Sequence, residues 1–400
     1  MSEQQPENPL VARFQTGCHY QQQGELNKAL DIYRELLTEV EGSPLILYNV
    51  GLAHQELGDH KAATIAYEQA LRAAPADIDI LYNLGLCYQQ TDNRDKALSM
   101  YQKAHDHSPG DPDILYNIAC CQQQNQLEDK AIQTYEQVLC LDREHPSALG
   151  NLAYLYQKEG QEEKAIALYK RLVQLEPDHQ AARHMLTSLT GAEATDSPKE
   201  YVRDVFDHYS DHYEVSLVGE LGYDVPNKLR TLFDSLVNTQ HPLTTLDLGC
   251  GTGLSGVAFH DLCATLTGVD LSEKMVAIAE KKEIYTRLVV MDLLDFLKES
   301  DQSFDLLLAA DVLTYLGKLD DIFHWTYQKS CHGAHFCFST EKTERTGFHL
   351  GKTGRFQHGL EYLRNSASTA GWRVLAQQQT NLRREKGNWI VGNLLILVKQ

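Results

Sequence analysis

The sequence lacks the features that mark several classes of protein. No apolar run reaches the roughly 18 residues that suggest a membrane-spanning helix. The opening residues, MSEQQPENPL, contain no hydrophobic core segment, so we expect no secretory signal. The nine cysteines include no CxxC pair. This disfavours a disulfide framework and is typical of reduced thiols in a cytoplasmic protein.

A basic excess is also missing. The chain has 36 lysines and arginines against 55 acidic residues, which gives a formal charge of −19, and neither half is basic. Nucleic-acid-binding proteins carry a basic surface, so we expect no nucleic-acid partner. The length of 400 residues and the hydrophobic content of 42% predict two or three globular domains.

A period of 34 residues runs through the first 180 positions, and each period predicts a pair of helices. The units are 10–43, 44–77, 78–111, 112–145 and 146–179. Four ladders of identical residues keep this step: Asn49, Asn83, Asn117 and Asn151; Tyr33, Tyr67, Tyr101, Tyr135 and Tyr169; Ala29, Ala63, Ala97, Ala131 and Ala165; Gln21, Gln55, Gln89, Gln123 and Gln157. The pattern resembles the tetratricopeptide repeat. The resemblance implies an all-α superhelix over 1–190, with five repeats and a capping helix around 180–189.

The resemblance also implies that the first helix of each unit lines a concave groove. An amide side chain both donates and accepts hydrogen bonds, so a row of asparagines can hold a peptide backbone. We therefore expect a protein or peptide partner, basic or neutral because Asp79 and Asp113 are acidic. The alternative is a solvated face whose asparagines contact neighbouring repeats in a scaffold. The groove residues implied are Asn49, Asn83, Asn117, Asn151, Tyr48, Tyr82 and Tyr116.

The repeat pattern ends before residues 191–200, which are small and polar, contain a proline and predict a linker. Strand and helix patterns alternate over 201–400. Residues 243–256, LTTLDLGCGTGLSG, predict a buried strand and a glycine-rich turn that lets a ligand approach the backbone. The spacing does not fit the dinucleotide fingerprint, because the sixth position from Gly249 is Leu254.

Asp247 precedes this turn by two residues, and the combination resembles class I S-adenosylmethionine-dependent methyltransferases. The segments FDHYSDHYEVSLVGELGY (206–223), AADVLTYLG (309–317) and TGRFQHGLEYL (353–363) resemble bacterial methyltransferases that are fused to tetratricopeptide repeats. The resemblance implies a Rossmann-like α/β domain with a seven-stranded mixed sheet, its last strand antiparallel, and S-adenosylmethionine as cofactor. The strands predicted are 243–248, 265–269, 287–291, 304–310, 334–339, 372–376 and 393–398.

The same resemblance assigns residues to the cofactor. Asp247 is expected near the methionine end. Asp270, which ends the second predicted strand, is expected at the ribose. Asp292 and Leu293 are expected to cover the adenine. The full set is Asp247, Gly249, Gly251, Gly253, Asp270, Leu271, Asp292, Leu293 and Ala309, together with Tyr209 and Tyr213 from the segment before the sheet.

Segment 201–216 is expected to close over the cofactor, with Tyr209 and Tyr213 as candidates to contact the methionine carboxylate. Plain packing is one alternative. Another is a metal site on His208 and His212, four residues apart, but no further ligand is evident and we expect no metal. The cluster of Cys331, His332, His335 and Cys337 is also interpreted as strand alternation around a turn rather than as a metal site.

Loops after the strands supply candidates for catalysis. His358 is expected to accept a proton because a neutral imidazole is available near pH 7. Arg355 is expected to pair with an anionic group, and Asp311 to lie beside the methionine moiety, with surface solvation as the alternative for His358 and Arg355. Tyr315 and Glu341 occupy equivalent loops.

These observations predict a cytoplasmic methyltransferase whose repeats recruit a protein acceptor or partner. A small-molecule or glycan-precursor methyltransferase, with repeats that serve assembly, is one alternative. A non-catalytic adaptor that keeps the cofactor-binding fold is another.

Overall fold

The computed structural model describes residues 9–209, 214–385 and 387–400. The chain forms two compact units, which divide after Pro177. All nine cysteines are free thiols. Among the helices of the described ranges, none is both long enough and apolar enough to cross a membrane.

The described part of the first unit is five consecutive helix pairs. Asp111 caps the helix that follows it, because its carboxylate accepts from the backbone N–H groups of Asp113 and Ile114 at 2.9 and 3.2 Å. The helices are α1 Pro9–Gln22, α2 Leu26–Glu39, α3 Pro44–Glu56, α4 His60–Ala73, α5 Ile78–Gln90, α6 Arg94–His107, α7 Pro112–Gln124, α8 Glu128–Leu141, α9 Pro146–Lys158 and α10 Glu162–Leu175.

Each helix pair closes around a buried tyrosine. A β-carbon on Gly51 would lie 2.4 Å from Cε1 of Tyr67, so glycine leaves room for the ring as it is placed in this repeat. Ala119 and Ala153 occupy the equivalent position in the last two repeats. The hydroxyl of Tyr67 donates to Oε1 of Gln55 at 3.1 Å. The equivalent tyrosine–glutamine bond recurs in all five repeats at 3.0–3.3 Å. The tyrosine and glutamine ladders are therefore one interaction repeated along the stack.

The second unit is an α/β fold in which helices cover both faces of a mixed sheet. Its helices are α11 Gln180–Thr190, α12 Lys199–Tyr209, α13 Val225–Asp234, α14 Leu254–Phe259, α15 Glu273–Glu280, α16 Leu293–Glu299, α17 Asp320–Gln328 and α18 Leu360–Thr369, with a π-helix Val215–Glu220 and 3-10 helices His260–Leu262 and Leu313–Tyr315. Its strands are β1 Leu243–Leu248, β2 Cys263–Asp270, β3 Arg287–Val290, β4 Phe304–Ala309, β5 Ser330–Lys342, β6 Phe348–Leu350, β7 Phe356–His358, β8 Trp372–Glu385 and β9 Asn388–Lys399.

Five parallel strands form the centre of this sheet in the order β3-β2-β1-β4-β5. Strand β9 continues the sheet antiparallel to β5 and pairs with β8, as predicted. Phe336 and Phe338 pack on one face of β5, and Cys337 packs on the other. The carboxyl ends of β1, β2, β4 and β5 meet at one edge, where the predicted site residues lie.

The structure differs from the predicted strands in their number and in their length. Strand β8 runs on to Glu385 and β9 starts at Asn388, whereas the predicted strands are 372–376 and 393–398. The hairpin β6–β7 adds two strands to the seven expected, because three-residue strands carry no readable period. The strand β5 begins at Ser330 and runs through the expected turn at 332–333.

The predicted domain boundary also differs from the observed division by one helix. The prediction ends the repeat domain at 190, whereas the compact units divide after Pro177. Helix α11 groups with the second unit because its buried residue His184 contacts Gly354, Tyr201 and Phe356 there.

Candidate active site

The turn after β1 holds its three glycines at left-handed backbone angles. Gly249, Gly251 and Gly253 have φ values of +65°, +51° and +95°, which other residues adopt only with strain. A β-carbon on Gly249 would lie 2.4 Å from Cγ2 of Val312, whereas one on Gly251 would meet no atom within 4 Å. Packing of the protein therefore requires Gly249, and Gly251 leaves space for a ligand to approach the backbone.

Asp247 is fully buried at the end of β1. Its Oδ2 accepts a hydrogen bond from the hydroxyl of Tyr285 at 2.7 Å. Within the described residues its Oδ1 has no hydrogen-bond partner. Burial raises the pKa of Asp247 to about 7, with a smaller contribution from Asp270. A buried carboxylate with an unsatisfied oxygen is well suited to a cationic ligand group.

The next two strands end in the predicted acidic residues. Asp270 accepts from the backbone N–H of Gly251 at 2.8 Å and of Ser272 at 2.9 Å. These bonds hold the glycine turn against β2. Asp292 caps α16 by accepting from Leu294 and Asp295. Half-buried Leu271 follows Asp270, buried Leu293 follows Asp292, and buried Ala309 ends β4.

Helix α12 lies across the loops that follow β2, β3 and β4. Ser272 donates to Asp207, and the ammonium of Lys199 lies 3.1 Å from Asp292. The rings of Phe206 and Tyr315 meet edge to face at 5.4 Å. Tyr213, His212 and the side chains of Tyr209 and His208 lie outside the described residues, so their expected contacts stay predictions.

Four charged side chains cluster beside the glycine turn. Asp311, which adjoins Val312, and Glu341, at the end of β5, are 9% and 2% exposed, and Arg383 between them is 3% exposed. Arg383 donates to Asp311 at 2.9 Å and forms a second close bond to Glu341. Nη1 of Arg355 lies 3.9 Å from a carboxylate oxygen of each acid. We call these four residues the charge cluster.

Burial dominates the electrostatics of the charge cluster. It raises the pKa of Asp311 to about 6 and that of Glu341 to about 7, and Arg355 offsets part of each shift. Burial likewise raises the pKa of Tyr315 to about 12, and the guanidinium of Arg355 lies 5.6 Å from the centre of its ring. Burial thus favours the neutral form of both acids, whereas the guanidinium groups of Arg355 and Arg383 favour the charged form.

Two residues of this site carry no motif in the sequence. Tyr285 follows α15 and holds Asp247 from 38 positions away. Arg383 reaches the charge cluster because β8 shifts register between Asn381 and Arg383, and such bulges redirect a side chain. The residue types alone carry no signal for either contact, since both join distant parts of the chain.

The structure brings together two of the three predicted catalytic residues, Asp311 and Arg355, and places His358 elsewhere. His358 is fully buried in β7, with Nε2 3.1 Å from the carbonyl oxygen of Gly317. Burial lowers its pKa to about 4. Its neighbour Gln357, rather than His358, pairs with Glu341 in the sheet. The structure thus gives His358 a bond to the backbone and no contact with the charge cluster.

The asparagine ladder of the first unit connects successive repeats. Nδ2 of Asn83 donates to the hydroxyl of Tyr48 in the preceding repeat at 3.2 Å. Asn117 with Tyr82 and Asn151 with Tyr116 repeat the contact at 3.1 and 3.3 Å, whereas Asn49 donates to Leu45 of its own helix. The amide nitrogens of these three asparagines therefore contact the neighbouring repeat, as the alternative interpretation of the ladder expects. No hydrogen bond to Oδ1 of these asparagines is found within the described residues.

Comparisons with known proteins agree with this architecture. A family model described as a methyltransferase domain matches residues 245–328. Tetratricopeptide-repeat models match 14–78, 48–112, 113–139 and 128–189. A search of curated proteins gave no match.

Solved structures match each half of the chain separately. The repeat protein YrrB, which its structure describes as having an unusual peptide-binding site, is 23% identical over 44% of this chain and 90% of its own, with a TM-score of 0.41. The magnesium protoporphyrin IX methyltransferase ChlM from Synechocystis PCC 6803, solved with bound S-adenosylmethionine, is 18% identical over 50% of this chain and 97% of its own, with a TM-score of 0.39.

Proposed function

We propose that this chain, which combines tetratricopeptide repeats with a methyltransferase domain, transfers a methyl group from S-adenosylmethionine to an acceptor that its repeats recruit. The observation that carries the proposal is the arrangement of Asp247, Gly251 and Asp270 at the edge of the sheet, where the strands β1 and β2 end. It offers a buried carboxylate oxygen without a partner, an open glycine and a second acid on the adjacent strand.

Each residue at this edge would bind a different part of the cofactor. Asp247 would pair with the ammonium of its methionine end, and Asp270 would accept from the ribose hydroxyls, because each carboxylate oxygen can accept more than one bond. Asp292 and Leu293 would border the adenine. When bound, the sulfonium supplies an electrophilic methyl group, so the protein needs only to align the acceptor and take up any proton.

The charge cluster would perform these tasks for the acceptor. Asp311 or Glu341 would take a proton from a hydroxyl or amine acceptor, since the pKa of each lies near neutrality. Arg355 would orient the acceptor, because its side chain is 26% exposed, more than the other three members of the charge cluster. His358 has no role in this proposal.

A protein acceptor or partner is favoured by the repeat array. Asn83, Asn117 and Asn151 use their amide nitrogens to bind neighbouring repeats, and their carbonyl oxygens would accept from a peptide backbone. A small-molecule acceptor is the second candidate. It is favoured by the burial of Asp311 and Glu341, which only a slender group can reach.

Calorimetric titration of the full chain with S-adenosylmethionine, S-adenosylhomocysteine and NAD tests the cofactor. We expect saturable binding of the two sulfur compounds only, and at least tenfold weaker binding by Asp270→Ala at a temperature where circular dichroism shows the variant folded. Asp234→Ala, on the exposed end of α13, is the matched control. Absence of binding by the folded wild-type protein would contradict the proposal and favour the adaptor.

Labelled methyl donor added to cell extract tests the acceptor. Label in the protein fraction supports recruitment by the repeats, and label only in the metabolite fraction supports the small-molecule alternative. The double variant Asn83→Ala/Asn117→Ala should reduce label in protein without changing cofactor affinity. The control Asn93→Ala/Asn125→Ala removes two exposed asparagines near helix ends and should leave labelling intact.

A further inference from the structure

The segment that joins the repeats to the sheet domain makes ordered contacts with the loops of the charge cluster. We define the connector as residues 178–198, which lie within the second compact unit. It contains α11 and residues 191–198 of the predicted linker. Its contacts fall on two loops, the one after β4 that carries Tyr315 and the one before β7 that carries Arg355.

The first contact fixes the backbone beside Arg355. Nε2 of His184, which is 4% exposed, lies 2.8 Å from the carbonyl oxygen of Gly354. A carbonyl only accepts, so Nε2 carries the proton. Gly354 has a φ of +78°, and a β-carbon there would lie 2.9 Å from both Sδ of Met185 and the hydroxyl of Tyr201.

The turn that carries Arg355 is closed on itself as well. The backbone N–H of Gly351 donates to the carbonyl of Arg355 at 2.8 Å, and that of Gly354 donates to Gly351 at 3.0 Å. A long side chain keeps its head group in place only when its backbone is held. The bond from His184 therefore holds a compact turn at the position from which Arg355 reaches Asp311 and Glu341.

The second contact fixes the backbone of Tyr315. The N–H of Ser197 donates to the carbonyl of Tyr315 at 3.0 Å, and the N–H of Lys318 donates to the carbonyl of Thr195 at 2.9 Å. Asp196 and Leu316 form an antiparallel bridge between these bonds. The residues predicted to be a linker thus form an isolated antiparallel bridge with the loop after β4.

The two contacts are joined to each other. The hydroxyl of Ser197 lies 3.5 Å from Nε2 of His184. The residues that they hold, Tyr315 and Arg355, face one another across 5.6 Å. Contacts to the cofactor side come instead from α12, through Asp207 and Lys199.

We propose that the connector is part of the acceptor site and that His184 is a positioning residue for Arg355. The inference rests on the proposed function, because the acceptor is the group that Arg355 and Tyr315 would meet. Removal of the His184 bond should impair the acceptor step and leave cofactor binding unchanged. The connector then helps to position an acceptor-binding residue as well as joining the repeats to the sheet.

The test uses the full chain, with labelled S-adenosylmethionine and the extract fraction that the wild-type protein labels. His184→Ala should lower transfer about 10- to 100-fold, as misplacement of an orienting group does. His184→Gln, which keeps a donor near the position of Nε2, should restore most of the rate. The affinity for S-adenosylmethionine should change less than about twofold in both variants.

A double-mutant cycle separates positioning from general damage. If His184 acts through Arg355, His184→Ala should have little further effect in an Arg355→Ala background. Additive losses would overturn the proposal, as would full activity of His184→Ala. The matched control is His335→Gln, a half-buried histidine in the first half of β5, which should transfer normally.

Hydrogen exchange tests whether the connector holds the two loops, and it requires no acceptor. In His184→Ala, and more weakly in Ser197→Ala, exchange should accelerate in peptides 311–318 and 351–358 and stay unchanged in 249–256. No acceleration, or equal acceleration in all three, would overturn it. If the wild-type protein transfers no methyl group, the proposed function fails, and this exchange pattern alone settles whether the connector holds the two loops.

Discussion

Each of the two units is stabilised by internal contacts, and the distance along the chain between the contacting residues differs between the units. In the repeats the ring of Tyr67 packs on Gly51 and bonds to Gln55, only 16 and 12 positions away, and the bond from tyrosine to glutamine recurs every 34 residues. In the second unit, Arg383 meets Asp311 across 72 positions. Short-range contacts that repeat can be recognised from the sequence, whereas a unique long-range contact has no second copy to reveal it.

Glycine shows the same contrast. Gly51 has ordinary helical geometry and is required for the space that a ring occupies, whereas Gly249 also needs a positive φ. Substitution of Gly51 should weaken the packing of helices within one repeat. Substitution of Gly249 should disturb a site assembled from several strands.

The largest effect is expected from Gly249→Ala. The new methyl group would meet Val312 at 2.4 Å in a left-handed conformation, at a cost of about 3 kcal/mol. We expect cofactor affinity to fall about 100-fold by calorimetry. Gly251→Ala is the matched variant: its φ of +51° brings a similar strain, but its methyl group meets no protein atom. A larger loss of stability in Gly251→Ala than in Gly249→Ala would contradict this account.

A smaller effect is expected from Gly51→Ala in the repeats. The clash with Tyr67 exceeds the gain in helix propensity, so the free energy of unfolding should fall by about 2 kcal/mol in urea denaturation. Cofactor affinity should not change. Gly110→Ala, where a β-carbon enters open space, provides the control, and equal destabilisation of the two variants would refute the role of this packing.

Asp247→Asn should separate stability from function. The folded-state pKa of about 7 lies above the ordinary value of 3.8. The folded protein therefore binds more protons than the unfolded chain between about pH 4 and 7, and the contribution of this residue to stability falls as pH rises through that range. Asparagine does not titrate, so the stability of the variant relative to wild type should rise by about 2–3 kcal/mol between pH 5 and pH 8.

The same substitution should weaken binding of S-adenosylmethionine at both pH values. Thermal unfolding and calorimetry at pH 5 and pH 8 measure the two effects. Loss of stability at pH 8 would show that the buried carboxylate is not a net cost to the fold.

The smallest effect is expected at a helix cap that one repeat has and the next repeat lacks. Asp59 and Asn93 precede α4 and α6 at the same repeat position, but only Asp59 caps its helix, by accepting from Ala62 at 3.0 Å. Asp59→Ala should cost about 1 kcal/mol and Asn93→Ala only a few tenths. Equal values in denaturant titrations would mean that the cap contributes nothing here.

The sequence predicted the site best where each strand leads directly to its functional residue. Strand β1 has the predicted bounds, and Asp247, Asp270 and Asp292 lie at the strand ends that the pattern indicates. Period, turn glycines and capping residues are local signals, which is why they sufficed. His358 looked suitable by residue type alone, and its burial in β7 depends on packing that no local pattern encodes.

The sequence by itself determined the five repeats, the α/β order of the second unit and the acidic residues at the strand ends, because periodicity and strand-turn-helix patterns lie within short stretches of chain. The tertiary structure alone decided that Tyr285 holds Asp247, that a bulge turns Arg383 toward Asp311, and that the connector reaches Arg355 and Tyr315. Each of these depends on the register and packing of elements far apart in sequence, where side-chain direction is fixed only once the sheet has formed.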